Sequence, residues 1–166
     1  MGLRIPGWSA NNYALKVDGR SDDVVNEDGF VFLTIDDENV TLDLKLDMSV
    51  KFMRASNRVR ADFGQVAIQR GPVVYAAEQE DNEAPLWLYK VNRGAKTESH
   101  YEAGLLDGVE VVEVAAQREP EQDVTDDLYT DAPDVPAEET QLTLIPYYAW
   151  ANRADGQMQV WLQRGR

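Results

Sequence analysis

The chain has 166 residues, 43% of them hydrophobic, which is enough for one sizeable core or two small ones and too much for wholesale disorder. Its 30 acidic residues against 16 basic ones give a formal net charge of -14, which repels phosphate backbones and anionic membrane surfaces and argues against nucleic acid as a partner. There is no Cys, so disulfides, thiolate metal sites and cysteine nucleophiles are excluded within this chain, and no apolar run approaches the length of a membrane span.

Met1-Gly2 leads straight into a strand-like motif with no apolar signal segment, as a piece of a longer protein would, and a cytoplasmic location is expected. Residues 3–8, Leu-Arg-Ile-Pro-Gly-Trp, read as a short strand stopped at Pro6-Gly7, with Trp8 covering a core edge. Leu15 and Val17 alternate with Lys16 before the turn signal Asp18-Gly19. Residues 29–35, Gly-Phe-Val-Phe-Leu-Thr-Ile, are apolar on both faces and predict a central strand buried between two layers. In residues 40–48, Val40, Leu42, Leu44, Leu46 and Met48 alternate with Thr41, Asp43, Lys45 and Asp47, which predicts a strand whose apolar face is buried throughout. Residues 50–53 continue it after a bend.

Residues 57–62 carry no packed run, and a junction is expected near Phe63-Gly64. Beyond it, residues 66–70 and 73–77 predict strands split by Gly71-Pro72; residues 86–91 and 109–115 predict two more. Nine acids and no base lie between Glu119 and Glu139, broken by Pro120, Pro133 and Pro136, so a long mobile acidic loop is expected near 117–140. Leu142 and Leu144 then alternate with polar residues into Ile145-Pro-Tyr-Tyr-Ala-Trp-Ala-Asn-Arg153, and Met158, Val160 and Leu162 alternate on the far side. This unit reads as strand, aromatic loop, strand. No repeat or amphipathic helix interrupts the pattern, which predicts an all-β protein, read as an antiparallel β-sandwich of the jelly-roll kind, with residues 1–63 as part of a first sandwich and 64–166 as a second.

No residue set reads as catalytic. Glycosidic chemistry needs two acids fixed across a cleft, and Glu78, at the end of the 73–77 strand, is the least generic acid but reads as structural or solvated. His100, the one histidine, lies in a polar stretch and reads as a surface loop residue. Asp123-Val-Thr-Asp-Asp127 could suit Ca²⁺ by its carboxylates, yet it lacks the Gly and terminal Glu that an EF-hand loop requires. Trp8, Trp87, Tyr147, Tyr148, Trp150 and Trp161 suit core or interdomain packing, or a sugar-stacking platform. Asn152 and Arg153 tie the loop by hydrogen bonds. Trp8, Tyr147, Tyr148, Trp150 and Arg153 are the candidate sugar or interdomain contacts; no cofactor or metal residue is assigned.

Three segments carry a resemblance: Leu3-Arg-Ile-Pro-Gly-Trp8, Arg70-Gly-Pro-Val-Val-Tyr75, and Ile145 to Arg153 followed by Met158-Gln-Val-Trp161. In this order they resemble the C-terminal region of glycoside hydrolase family 127, the β-L-arabinofuranosidase-like family. The resemblance implies an upstream (α/α)6 barrel in the same polypeptide, whose cysteines and glutamate bind zinc and one of whose cysteines is the nucleophile, followed by two β-sandwich regions. None of those catalytic positions lies in this chain. Ala76 stands where relatives often carry Cys, and Asp36-Asp37-Glu38 replaces a Trp and Gly-Asp turn.

Three functions follow as alternatives. The favoured one is a non-catalytic accessory β-sandwich region that packs on and stabilises the barrel; the others are an autonomous carbohydrate-binding module and an interaction domain that dimerises through an exposed sheet. On the first, residues 3–62 are a partial sandwich. Its unpaired edge and uncovered apolar face predict lower stability and self-association.

Overall fold

The computed structural model describes residues 1–21, 24–36, 39–83, 85–121, 128, 129, 131, 133 and 135–165. Their regular structure is fourteen strands and four 3-10 turns, so the all-β expectation holds. In chain order the strands are β1 (Gly2–Arg4), β2 (Tyr13–Val17), β3 (Arg20–Ser21), β4 (Phe30–Phe32), β5 (Leu42–Leu46), β6 (Val50–Met53) and β7 (Gln65–Arg70). They continue with β8 (Val73–Glu78), β9 (Tyr89–Val91), β10 (Thr97–Glu102), β11 (Val109–Arg118), β12 (Glu138–Pro146), β13 (Met158–Gln159) and β14 (Leu162–Arg164). No helix among the described residues is long and apolar enough to cross a membrane. Two compact units result, Met1–Ser49 with Arg70–Pro72, and Val50–Gln69 with Val73–Arg166; Phe63-Gly64, the expected junction, falls inside the second.

In the first unit β1 pairs antiparallel with β4, Leu3 opposite Val31, and β2 lies between β3 and β5 in a separate sheet. The Asp18-Gly19 turn forms as predicted, with φ of 48° and 76°, left-handed values that Gly takes without strain. Ile5, Leu15, Val31 and Leu33 make the core, with Leu42 and Leu44 packed partly against it. Ser9 is buried at the end of the 3-10 turn Gly7–Ser9; its hydroxyl donates to Asn12 O and accepts from Asp47 N, each at 2.8 Å.

Two expectations for this unit are corrected. The 29–35 run is not a central strand buried on both faces: among the described residues β4 has β1 as its one strand neighbour, and Val31 and Leu33 turn inward while Phe30 and Phe32 stack on each other on the exposed side. The apolar side of β5 is half-buried rather than buried throughout, and Met48 is exposed, because β5 is an edge strand covered only where β2 and the small core reach it.

In the second unit the strands follow the order β13-β8-β12-β11-β9-β14-β7-β6, with β10 also on β11. An additional β8–β7 pairing closes β8, β12, β11, β9, β14 and β7 into one circuit. β10, β12 and β9 pair antiparallel with β11, β8 with β12 and β13, and β7 with β14, whereas β14 and β9 run parallel. Period-two patterning fills the inside: Val112, Val114 and Ala116 of β11 and Leu142 and Leu144 of β12 meet Val66, Ile68, Tyr75, Ala77, Leu86, Tyr89, Val91 and Leu162 in one core. The opposite side of β11 gives Val109 and Val111 to a smaller cluster with Ala149. Arg118, at the end of β11, donates to Glu83 and Glu138 at 3.0 Å each and so fastens the start of β12.

Here three local expectations change. The 86–91 run is a 3-10 turn, Leu86–Leu88, before β9, because Pro85 and the turn bring Leu86 into the core and leave Trp87 exposed. The 158–162 run is two short strands, β13 on β8 and β14 on β7 and β9. His100 stands on β10 opposite Val111, not in a loop, although it is exposed. Of the expected acidic loop, residues 122–127, 130, 132 and 134 lie outside the described residues, and with them the Ca²⁺ reading of 123–127.

Candidate functional site

The aromatic stretch begins where Pro146, with no N–H to give a neighbouring strand, ends β12 opposite Tyr75. The 3-10 turn Tyr147–Ala149 follows and tucks Ala149 inward while Tyr147, Tyr148 and Trp150 stay exposed. Tyr147 and Trp150 stack with ring centroids 6.2 Å apart and planes 28° from parallel, an arrangement aromatic pairs favour. Trp150 retains 40% exposure and Tyr148 71%. Ala151 then takes φ of 60°, an uncommon conformation for a residue with a Cβ.

That conformation is held by a group of polar contacts. Ala151 N donates to Glu78 Oε1 at 2.8 Å, and Asn152 Nδ2 donates back to Ala149 O at 3.0 Å and Trp150 O at 3.2 Å. Arg153 binds Glu78 Oε2 through Nε at 3.2 Å and also through Nη2. It binds Asp81 through Nη1 at 2.6 Å and Nη2 at 2.5 Å. The three side chains retain only 17%, 10% and 14% exposure for Arg153, Glu78 and Asp81. Asp81, with Glu78 behind it, holds the Arg153 guanidinium charged well above its ordinary range, against the opposing effect of burial. Charge-assisted bonds of this forked kind are the stronger hydrogen bonds of proteins.

Beside this group is a cavity of about 110 Å³, bordered by Trp150, Gln79, Glu80, Asp155 and Gln157. Its wall is fixed by reciprocal bonds: Gln79 N donates to Gln157 O at 3.0 Å and Gln157 N to Gln79 Oε1 at 3.3 Å. Gln157 Oε1 in turn accepts from Leu86 N at 2.9 Å.

The sequence candidates therefore divide. Tyr147 and Tyr148 lie in the Tyr147–Ala149 turn of the second unit and Trp150 and Arg153 directly after it, while Trp8 is half-buried in the first unit, in the Gly7–Ser9 turn. Asn152 and Arg153 tie the turn as expected. Glu78 is buried and engaged on both oxygens, which is a structural use. Asp81, Gln79 and Gln157 were not among the sequence candidates. Their available signal was a polar cluster directly after the apolar 73–77 strand, but its pairing with residues more than seventy positions later is set by the β8–β13 register. Zinc, which the family resemblance implies for the upstream barrel, finds no fitting set among the described residues of this chain. There is no Cys, and among the described residues no three His, Asp or Glu are grouped to hold a metal ion.

Comparison with known proteins adds a separate line of evidence. The model of the glycoside hydrolase family 127 C-terminal domain matches residues 50–163. A non-reducing end β-L-arabinofuranosidase of Bifidobacterium longum subsp. longum is 47% identical, across 98% of this chain and 26% of its own length. The crystal structure of a GH127 β-L-arabinofuranosidase from Geobacillus stearothermophilus T6 superimposes with a TM-score of 0.91 at 36% identity, over 99% of this chain and 26% of that one. A second solved GH127 β-arabinofuranosidase does so with a TM-score of 0.84 at 31% identity, over 99% and 27%. The chain thus spans about a quarter of the length of these relatives.

Proposed function

Because the chain belongs to glycoside hydrolase family 127, matching its C-terminal domain over residues 50–163, we propose that it is the non-catalytic accessory region of a β-L-arabinofuranosidase-like glycoside hydrolase. In this reading it packs on and stabilises an upstream catalytic barrel of the same polypeptide, and the zinc of the family resemblance belongs to that barrel. The observation that carries the reading is the coverage, nearly all of this chain against about a quarter of each relative. The acids support it, because Glu78 and Asp81 are both committed to Arg153 and do not face each other across an open cleft.

The test is enzymatic and physical. The 166-residue chain is expected to release no arabinose from arabinofuranosides above a heat-killed control. Joined to the upstream region, it is expected to raise that region's melting temperature and soluble yield. Turnover by this chain alone, or a catalytic region equally stable without it, refutes the reading. The exposed Tyr147–Trp150 stack favours a second reading, an autonomous carbohydrate-binding module.

A further inference from the structure

The cavity beside Trp150 has three properties that narrow what it can hold. It is small, about 110 Å³, so it admits part of one ring and not an extended chain. Its aromatic wall is fixed before any ligand arrives: Tyr147 stacks on Trp150, and Asn152 holds the Trp150 carbonyl at 3.2 Å. Its polar wall is tied to the backbone at two points. Gln79 and Gln157 use their amide oxygens on backbone N–H groups, and neither side-chain NH2 has a partner among the described residues. A ligand thus meets the stacked Trp150 and two amide donors whose oxygens are already held by the backbone, which lowers the entropic cost of binding.

Charge removes other ligands. The Arg153 guanidinium is spent on Glu78 and Asp81, and Glu80 and Asp155 at the border add negative charge to a chain already at -14, so an anion is disfavoured. No grouping suited to a metal ion exists among the described residues. What remains is a neutral ligand with one apolar face and many hydroxyls. We infer that this cavity is a subsite for a single neutral sugar ring, whose C–H face lies on Trp150 and whose hydroxyls accept from Gln79 and Gln157 and donate to Glu80 or Asp155. The inference deepens the second functional reading and rests on it, and it does not depend on the upstream barrel.

The experiment is a titration of the 166-residue chain with arabinobiose, xylobiose and cellobiose, followed by tryptophan fluorescence and by ligand-observed saturation-transfer NMR, with a galacturonic acid dimer as the anionic control. A single stacked ring predicts saturable binding with a roughly millimolar dissociation constant. Trp150→Ala is expected to weaken it roughly tenfold, Trp150→Phe less, and Trp87→Ala, at another exposed tryptophan, not at all. Gln157→Leu tests the polar wall and should weaken binding while leaving the rings in place. Binding of neutral sugars that survives Trp150→Ala and Gln157→Leu unchanged overturns the subsite and leaves the module reading standing. Absence of saturable binding in the unaltered chain overturns both, and equal binding of the anionic control overturns the charge argument on which the ligand class rests.

Discussion

Replacing Arg153 with Met keeps most of the buried stem and deletes the guanidinium that joins β8, the segment after it and the aromatic turn. Four bonds end on two carboxylates, Glu78 Oε2 from Nε and Nη2 and Asp81 from Nη1 and Nη2. Their side-chain exposures of 10% and 14% leave little water to replace the lost donor, so two like charges would face each other poorly solvated. Removing one partner of a fully buried pair costs about 3–5 kcal/mol, and residual solvent access brings the expectation to about 2–4 kcal/mol. With a urea m-value of about 2 kcal/mol/M, the unfolding midpoint should fall by roughly 1–2 M at unchanged m. Far-UV circular dichroism is the suitable probe, since the variant also disturbs Trp150. Arg153→Lys should recover only part of the loss, because a point charge cannot fork onto both carboxylates. The arginine's raised pKa means its contribution is complete below the ordinary arginine range and is lost only as pH rises through the higher folded value, so alkaline conditions short of that should not mimic the mutation. A loss below about 0.5 kcal/mol for Arg153→Met would refute the assignment of the cluster as the turn's anchor.

Burial sets a contrast between Leu144 and Leu44. Leu144→Ala, 1% exposed in the main core, should cost about 2–5 kcal/mol, whereas half-buried Leu44→Ala should cost about 1–2 kcal/mol and exposed Lys45→Ala less than about 0.5 kcal/mol, all read from denaturation midpoints. Equal costs for the two leucines would contradict the assigned facing. Amide exchange should be faster in residues 2–4 than in residues 142–145, because among the described residues β1 has one strand neighbour while β12 lies between β11 and β8. Uniform protection by hydrogen-exchange mass spectrometry would show that the small first unit opens only with the second.

Patterning made β11 and β12 legible because buried residues recur at every second position through 112–116 and 142–144, with a core on that side. The same logic failed for β10, Thr-Glu-Ser-His-Tyr-Glu, which offers no apolar side and is a strand only because β11 supplies its partner. It also overstated β4 and β5, since composition records how apolar a strand is and not how many neighbours cover it. At the site, the aromatic turn and Arg153 stood out in one continuous stretch. Their acidic anchors did not, because nothing local to Glu78 or Asp81 announces a partner so far along the chain.

The position of β14 bears on how the second unit assembles. Leu162–Arg164 sits between β7 and β9, antiparallel to one and parallel to the other, and Arg164 N and Gly165 N reach Gly64 O at 3.0 Å and Val91 O at 3.1 Å. During synthesis β7 and β9 leave the ribosome long before the strand that belongs between them, and each then presents a vacant edge to whatever extended chain is near. The slow step of maturation should accordingly be insertion of this late strand, a non-local event whose loop-closure cost comes before its hydrogen bonds form. A chain shortened by these few residues would lose the keystone of the strand circuit, with consequences for aggregation far larger than the number of atoms removed.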